Sequence, residues 1–212
     1  GERIRQELLK LFKAADPLPV LLIMQESGIF QHLFTKPKID LSDTDIVAFA
    51  CYINLESEHD LVVDSLCRMA VLFKSQLDEK QARKLANRIV LSNQDKTDWL
   101  CYCLNHISPD TPMNSAEIYQ MIDRFGGTNF KKLLAISAAT QASDISPDWW
   151  EFVDEKSIIS FPLHGRDILD IGIPAGPKMG QLLKQTRRWW LERGLVANKS
   201  ECLEYLTALA NE

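Results

Sequence analysis

The chain has 212 residues, of which 46% are hydrophobic and 25% are charged, and its formal net charge is −5. This composition is typical of a soluble globular protein and excludes wholesale disorder. Because the net charge is negative, binding to nucleic acid or to an anionic membrane requires a locally cationic surface. No apolar run reaches membrane-spanning length, and the odd number of cysteines, five, favours reduced thiols in the cytoplasm over a disulfide framework.

Apolar residues recur at helical intervals along most of the chain. A first helix starts near Glu2, and a second is predicted to end at Gly28. Further helices are predicted over 43–55, 58–74, 78–91 and 95–107, and others follow the breaks at 108–114 and 125–129. The one β-like stretch, 157–163, is too short to build a sheet. The sequence therefore predicts an all-α fold, with a larger body over about 1–145 and a smaller C-terminal unit over about 157–212.

Two acidic residues, Asp43 and Asp45, form an Asp-x-Asp pair of the kind that holds magnesium in nucleotidyl transfer. They follow Ser42 and begin a helical pattern, where residues two apart diverge by about 200° around the helix axis. The pair therefore fits a capping box better than a metal site. Cys101, Cys103 and His106 lack a second pair of zinc ligands and are predicted to lie on a buried helix face.

A second metal hypothesis uses His32, His59 and Asp60, which resemble part of the ligand set of helical metal-dependent phosphohydrolases. No fourth ligand stands out downstream. The segment around His59 is also explained as a helix start carrying a solvated His-Asp pair. The chain shows no nucleophile with a base and no phosphate-binding glycine motif, so no catalytic residue and no metal ligand is assigned.

The segment "DIGIPAGPKMGQLLKQTRRWW", residues 170–190, carries the strongest sign of function. Gly172 is suited to end one helix, and Pro177 is suited to the first position of the next. Amides in the first turn of that helix are free to bind a phosphate. Residues 161–195 contain six Lys or Arg against three acids, a local reversal of the net charge. The predicted RNA- or phosphate-binding residues are Arg166, Gly176, Lys178, Met179, Gly180, Lys184, Arg187 and Arg188.

A plainer interpretation of the same segment is that its glycines allow close helix packing and its cations are only solvated. The sequence does not assign Trp189 and Trp190 to either the core or an RNA-facing surface, although the core is favoured for at least one of them.

The segment "FPLHGRDILDIGIPAGPKMGQLLKQTRRWW" closely resembles the C-terminal region of the bacterial tRNA nucleotidyltransferase (CCA-adding enzyme) and poly(A) polymerase family. The matching positions are Gly165, Asp167, Gly172, Gly176, Pro177, Gly180 and Leu183. The opening "ERIRQELLKLFKAADPLPVLLIMQESGIF" is similar to the neck-to-body segment of the same family, through Glu2, Arg3, Ile4, Glu7, Leu8 and Gly28. His164 stands where the family commonly has Asn.

The resemblance implies the helical end of the neck, the body and the tail of a class II CCA-adding enzyme. These parts are expected to bind RNA, with tRNA as the favoured partner, and not DNA. The family's catalytic head, with its Mg²⁺ and ATP or CTP, precedes the matched region, so the 212 residues are expected to be a C-terminal fragment without a cofactor of their own. The same region of a poly(A) polymerase is an alternative. A phosphohydrolase and a protein-interaction module remain as further alternatives, and the oligomeric state is open.

Overall fold

The computed structural model describes residues 1–109, 113–145, 150, 152–154 and 160–211. Within these ranges it contains no β-strand, only an isolated bridge between Thr35 and Lys38, and the all-α prediction is confirmed. None of the described helices has the length and apolar character that a membrane span requires. The helices are α1 (Glu2–Lys13), α2 (Leu18–Glu26), α3 (Ile29–Leu33), α4 (Asp43–Glu58), α5 (Ser65–Phe73), α6 (Glu79–Arg88), α7 (Asn93–Leu104), α8 (Ser115–Phe125), α9 (Gly127–Gln141), α10 (Gly165–Asp170), α11 (Pro177–Glu192) and α12 (Lys199–Ala210), with a 3-10 turn at Lys74–Gln76.

The chain forms two compact units, which we call the N-terminal and C-terminal units. The N-terminal unit comprises Gly1–Thr111 and Lys131–Ser146, and the C-terminal unit comprises Pro112–Phe130 and Pro147–Glu212. This division by packing groups residues 112–130 with the C-terminal helices. The functional division into 1–145 and 157–212 stays a prediction. Of the predicted break at 108–114 and the β-like stretch at 157–163, residues 110–112 and 157–159 lie outside the described residues.

A cluster of phenylalanines forms the centre of the N-terminal unit. Phe73 at the end of α5 makes edge-to-face contacts with Phe12, Phe30 and Phe34, with ring centroids 6.3, 6.0 and 5.5 Å apart. All four rings are fully buried. Such tilted aromatic pairs stabilise the core beyond the apolar area that they bury.

The same unit encloses an ion pair between Glu56 on α4 and Arg68 on α5, both at most 4% exposed. Arg68 Nε donates to Glu56 Oε2 at 2.8 Å, and Arg68 Nη1 donates to the carbonyl oxygens of Phe12 and Ala14 at 2.9 and 2.6 Å. Burial raises the pKa of Glu56, and Arg68 offsets part of this rise. The guanidinium therefore joins the end of α1 to α4 and α5.

The capping interpretation of the Asp-x-Asp pair is confirmed. Ser42 and Asp45 form a capping box at the start of α4. The Asp45 carboxylate also accepts from Ser75 Oγ at 2.5 Å and from Gln76 Nε2 at 2.9 Å. Because Asp45 is 5% exposed and fully engaged in hydrogen bonds, it stabilises the fold and offers no open metal site.

The helix predicted over 58–74 is wrong in its first part. α4 ends at Glu58, so His59 follows a helix end instead of starting one, and Asp60 has a left-handed φ of 49°. The next helix begins at Ser65, where Asp64 Oδ1 accepts from the amides of Leu66 and Cys67. The helical spacing of apolar residues continues through this break, but the cap at Asp64 starts a new helix at Ser65 and so interrupts the predicted one.

The C-terminal unit has its own apolar core, built from α8, α10, α11, α12 and the segment before α10. Its fully buried members include Ile168, Cys202 and Leu206, and Trp190 is 3% exposed. The indole Nε1–H of Trp190 donates to the carbonyl of Ala197 at 2.9 Å. A buried tryptophan with its one donor satisfied belongs to the core, as predicted for at least one of the two.

Candidate nucleic-acid interface

The helical hairpin, defined as α10, the turn 171–176 and α11, has the geometry that its glycines and proline predict. Gly172 has a φ of 87°, which favours glycine. Its amide donates to the carbonyl of Leu169 at 2.9 Å, and the amide of Ile173 donates to that of Ile168 at 3.2 Å. This Schellman pattern ends α10. Pro177 is at the first position of α11, where its missing N–H costs nothing.

The turn of the hairpin is open to solvent. Gly176 and Gly180 are exposed, and a Cβ built on either glycine would meet no atom within 4 Å. These two glycines therefore do not serve helix packing, in contrast to the plainer interpretation. The space beside them is available to an approaching ligand.

One detail of the predicted amide site is wrong. The amide of Gly180 donates to the carbonyl of Gly176 at 3.3 Å, because Gly176 is the N-cap and Gly180 already completes the first helical turn. The amides of Lys178 and Met179 have no hydrogen-bond partner within the described part of the chain. They are the backbone donors available at this helix start.

The five predicted cations fall into two groups. Arg166 and Lys184 are exposed and make no ion pair with any described residue. Lys178 Nζ donates to the carbonyl of Ala210 at 3.2 Å. Arg187 and Arg188 each pair with a carboxylate, Asp123 and Glu192 respectively. The charge that is immediately available to a phosphate thus comes from Arg166, Lys178 and Lys184.

Two residues that sequence reasoning did not assign position this site. Asp123 on α8 accepts from Arg187 Nε at 2.6 Å. Lys199 on α12 donates to Oδ1 of Asp167 at 2.5 Å, and Oδ2 of Asp167 accepts from the His164 amide at 2.7 Å. The Lys199 ammonium, with the His164 amide, holds the pKa of Asp167 below its usual value. No sequence signal identifies Asp123 or Lys199, since each is more than 30 residues from its partner.

The exposed side of α11 carries the other tryptophan. Trp189 is half-buried and stacks on Tyr205 of α12, with centroids 4.3 Å apart and planes inclined by 9°. The guanidinium of Arg193 lies 4.9 Å from the Trp189 ring centroid. Tyr205 stacks on this ring and Arg193 lies over it, so base stacking on Trp189 requires one of them to move.

The alternative metal sites do not come together. Within the described ranges, which contain His32, His59, Asp60, Cys101, Cys103 and His106, no group of three or more His, Cys, Asp or Glu side chains is placed to hold a metal ion. His32 Nδ1 lies 2.8 Å from the carbonyl oxygen of Gly28. The buried helix face predicted for Cys101, Cys103 and His106 is confirmed only for Cys103, since His106 is exposed and lies beyond the end of α7.

Comparison with known proteins gives a match to one family model and to two relatives of the same description. A family model described as the probable RNA and SrmB-binding site of polymerase A matches residues 1–41. The mouse CCA tRNA nucleotidyltransferase 1, mitochondrial, is 40% identical over 211 residues, which cover 97% of this chain. The chain belongs to the family of CCA-adding enzymes and poly(A) polymerases. The human protein of the same description is 42% identical over 54 residues, or 26% of this chain.

The chain spans 45% of the length of the mouse CCA tRNA nucleotidyltransferase. The described residues of this chain form α-helices joined by turns and irregular segments. The family model covers α1 to α3 in the N-terminal unit, whereas the hairpin lies in the C-terminal unit. Membership of the family therefore does not assign a role to the hairpin. Any role for the hairpin depends on its own geometry.

Proposed function

We propose that this chain is the RNA-binding region of a nucleotidyltransferase that adds CCA to tRNA 3′ ends. The observation that carries the proposal is the open, cationic hairpin. The start of α11 offers the amides of Lys178 and Met179. They lie beside Gly176 and Gly180, where a built Cβ would meet no atom within 4 Å, and Lys184 extends the positive charge along α11. Backbone amides and cations at a helix start bind phosphates without reading sequence.

The proposed binding mode assigns phosphate contacts to Arg166, Lys178 and Lys184, with the amides of Lys178 and Met179 and the open space at Gly176 and Gly180. Arg188 is also assigned a phosphate contact. Its pair with Glu192 is solvent-exposed and stabilises the fold only weakly, so exchanging Glu192 for a phosphate costs little free energy. Arg187 and Arg188 are three and four positions from Lys184, so each of them lies next to Lys184 on the surface of α11.

The CCA-adding assignment is favoured over poly(A) synthesis by the mouse relative, whose similarity extends over 97% of the chain, whereas the polymerase A model matches residues 1–41. Catalysis, with Mg²⁺ and ATP or CTP, is proposed to occur in a part of the parent protein beyond these residues. A cytoplasmic location stays a prediction. All five cysteines are free thiols, in keeping with a reducing compartment.

The direct test is salt-dependent tRNA binding by the chain. Lys184→Ala, Arg187→Ala and Arg188→Ala together are expected to weaken the affinity for tRNA and to reduce its dependence on salt. The matched control changes three exposed cations of α6, Lys80→Ala, Arg83→Ala and Lys84→Ala, and alters the net charge equally. Equal affinity in the two triple variants removes the hairpin from the function.

A further inference from the structure

The C-terminal unit contains a cavity of about 430 Å³ lined by α8, the start of α9, the segment before α10, and α11. We infer that this cavity, called here the α8–α11 cavity, receives a single unstacked nucleobase of the bound RNA. The inference rests on the proposed function and adds a base-binding site to the phosphate contacts of the hairpin.

The shape and lining of the α8–α11 cavity suit a flat heteroaromatic ring. Its volume lies in the range of small-molecule sites, about 300–1,000 Å³. Tyr119, Phe161 and Trp190 supply aromatic walls, and Phe161 and Trp190 pack edge to face with centroids 5.4 Å apart. Unstacked RNA bases are bound by aromatic rings and arginine planes of this kind.

The polar edge of the cavity is the ion pair of Asp123 and Arg187, which both line it. Arg187 uses Nε and Nη2 to donate to Oδ1 of Asp123. Arg187 Nη1 and Asp123 Oδ2 have no hydrogen-bond partner among the described residues. The pair thus retains one donor group and one acceptor, which match the adjacent acceptor and N–H donor on the edge of a nucleobase.

The charge balance favours a neutral ring over a phosphate in the cavity. Asp123 is 25% exposed and neutralises Arg187, so the pair offers hydrogen bonds without net positive charge. Arg187 also lies over Phe161, with its guanidinium carbon 5.9 Å from the ring centroid. The phosphates of the same strand then contact Lys184, which lies one helical turn from Arg187 on α11, and Arg188, which lies one turn from Lys184.

Nucleosides without phosphate test this inference separately from RNA binding. Adenosine, cytidine, guanosine and uridine are titrated into the ¹⁵N-labelled chain, with ribose 5-phosphate as the control ligand. At least one nucleoside is expected to shift the amide resonances of Gly126 and Gly127, which line the cavity, in a saturable manner. Ribose 5-phosphate is expected to leave both resonances in place.

Three variants locate the binding. Asp123→Asn and Phe161→Leu are each expected to lower the affinity for the nucleoside by about tenfold, since the loss of one stacking or charged contact lowers affinity by about this factor. Arg83→Gln, which changes an exposed paired arginine of α6 that does not line the cavity, is expected to leave nucleoside binding unchanged. Two variants with different chemistry keep the test valid if one of them unfolds, and the dispersion of the spectrum reports folding.

The results separate the two proposals. The base site is overturned if no nucleoside shifts the resonances of Gly126 and Gly127 up to its solubility limit. It is also overturned if both cavity variants fold and bind the nucleoside as the native chain does. A chain that binds tRNA without these shifts loses the base site and keeps the proposed function. A chain that binds no tRNA overturns the proposed function, and with it RNA as the source of the base.

Discussion

Arg187 of α11 donates through two nitrogens to one carboxylate oxygen of Asp123 on α8, with Nε 2.6 Å from Oδ1. The two residues are 64 positions apart, so this pair links distant parts of the C-terminal unit. It also gives Arg187 a different role from Lys184, because the charge of Arg187 is already balanced. The interface therefore combines free cations with a neutral polar pair.

Breaking the pair is expected to lower stability moderately. Asp123→Ala removes the acceptor of two charge-assisted hydrogen bonds, and the free energy of unfolding should fall by about 1 kcal/mol, the upper part of the range for partly exposed pairs. Glu192→Ala breaks the more exposed pair with Arg188 and should cost less than about 0.5 kcal/mol. Urea unfolding of both variants measures the difference, and equal losses would argue against a specific role for Asp123.

The buried pair of the N-terminal unit predicts a larger effect. Arg68→Met leaves Glu56 buried without its partner and removes the donor to the carbonyls of Phe12 and Ala14. The free energy of unfolding is expected to fall by about 3–5 kcal/mol. Arg83→Met breaks the exposed pair with Glu79 within α6 and should cost about 0.5 kcal/mol or less. A loss below about 1 kcal/mol for Arg68→Met in chemical denaturation contradicts the assigned network.

Lys74 predicts a pH-dependent stability. It is 7% exposed, and burial lowers its pKa to about 8. In the unfolded chain the amine titrates near its ordinary pKa of about 10.4. Between these values the unfolded state binds more protons than the folded state, so the free energy of unfolding rises with pH, by about 2–3 kcal/mol from about pH 7 to 10.

Lys74→Met removes this titration, although it also removes the donor to the carbonyls of Tyr102 and Asn105. The measured quantity is the unfolding free energy of the native chain minus that of the variant, followed across the pH range, which cancels the titration of other groups. This difference should grow as the pH rises. A flat or falling difference for Lys74→Met contradicts the buried-amine assignment.

The two groups of cations predict different salt effects on tRNA binding. Lys184→Ala should reduce the slope of log affinity against log salt by about 0.7–0.9, the value for one lost phosphate contact. Arg187→Ala should leave the slope nearly unchanged, because Asp123 already neutralises that guanidinium. Filter-binding titrations at several salt concentrations give both slopes, and a full slope change for Arg187→Ala would assign it to a phosphate.

Sequence reasoning succeeds in this protein where structure is decided by neighbours in the chain. Ser42 and Asp45, Gly172, and Pro177 each predict a helix end or start that the structure contains, since caps depend on residues within one turn. The helix predicted over 58–74 is wrong over 59–64, because the local cap at Asp64 interrupts an apolar pattern that continues through it.

The residues that sequence reasoning missed act at long range. Asp123 and Lys199 are charged residues that belong to no recognisable sequence motif. Only the packing of the C-terminal helices brings Asp123 to Arg187 and Lys199 to Asp167. Gly180 is predicted as a binding residue, but its amide is already bonded to the carbonyl of Gly176, because the exact position of the N-cap decides which donors remain free.

The central claim is that the open turn of the hairpin exists to admit an RNA phosphate, and alanine at its glycines tests that claim directly. Gly176 has extended backbone, with a φ of 162°, and Gly180 lies within α11, so both positions accept a Cβ without meeting another atom. Gly180→Ala should raise the free energy of unfolding by about 0.5–1 kcal/mol.

The measurement is the tRNA affinity of the Gly176→Ala, Gly180→Ala double variant, with its unfolding free energy determined in parallel. The account predicts that affinity falls by about tenfold, the loss of roughly one phosphate contact, while stability is unchanged or higher. Unchanged affinity in this stably folded variant would contradict the claim that the turn binds RNA.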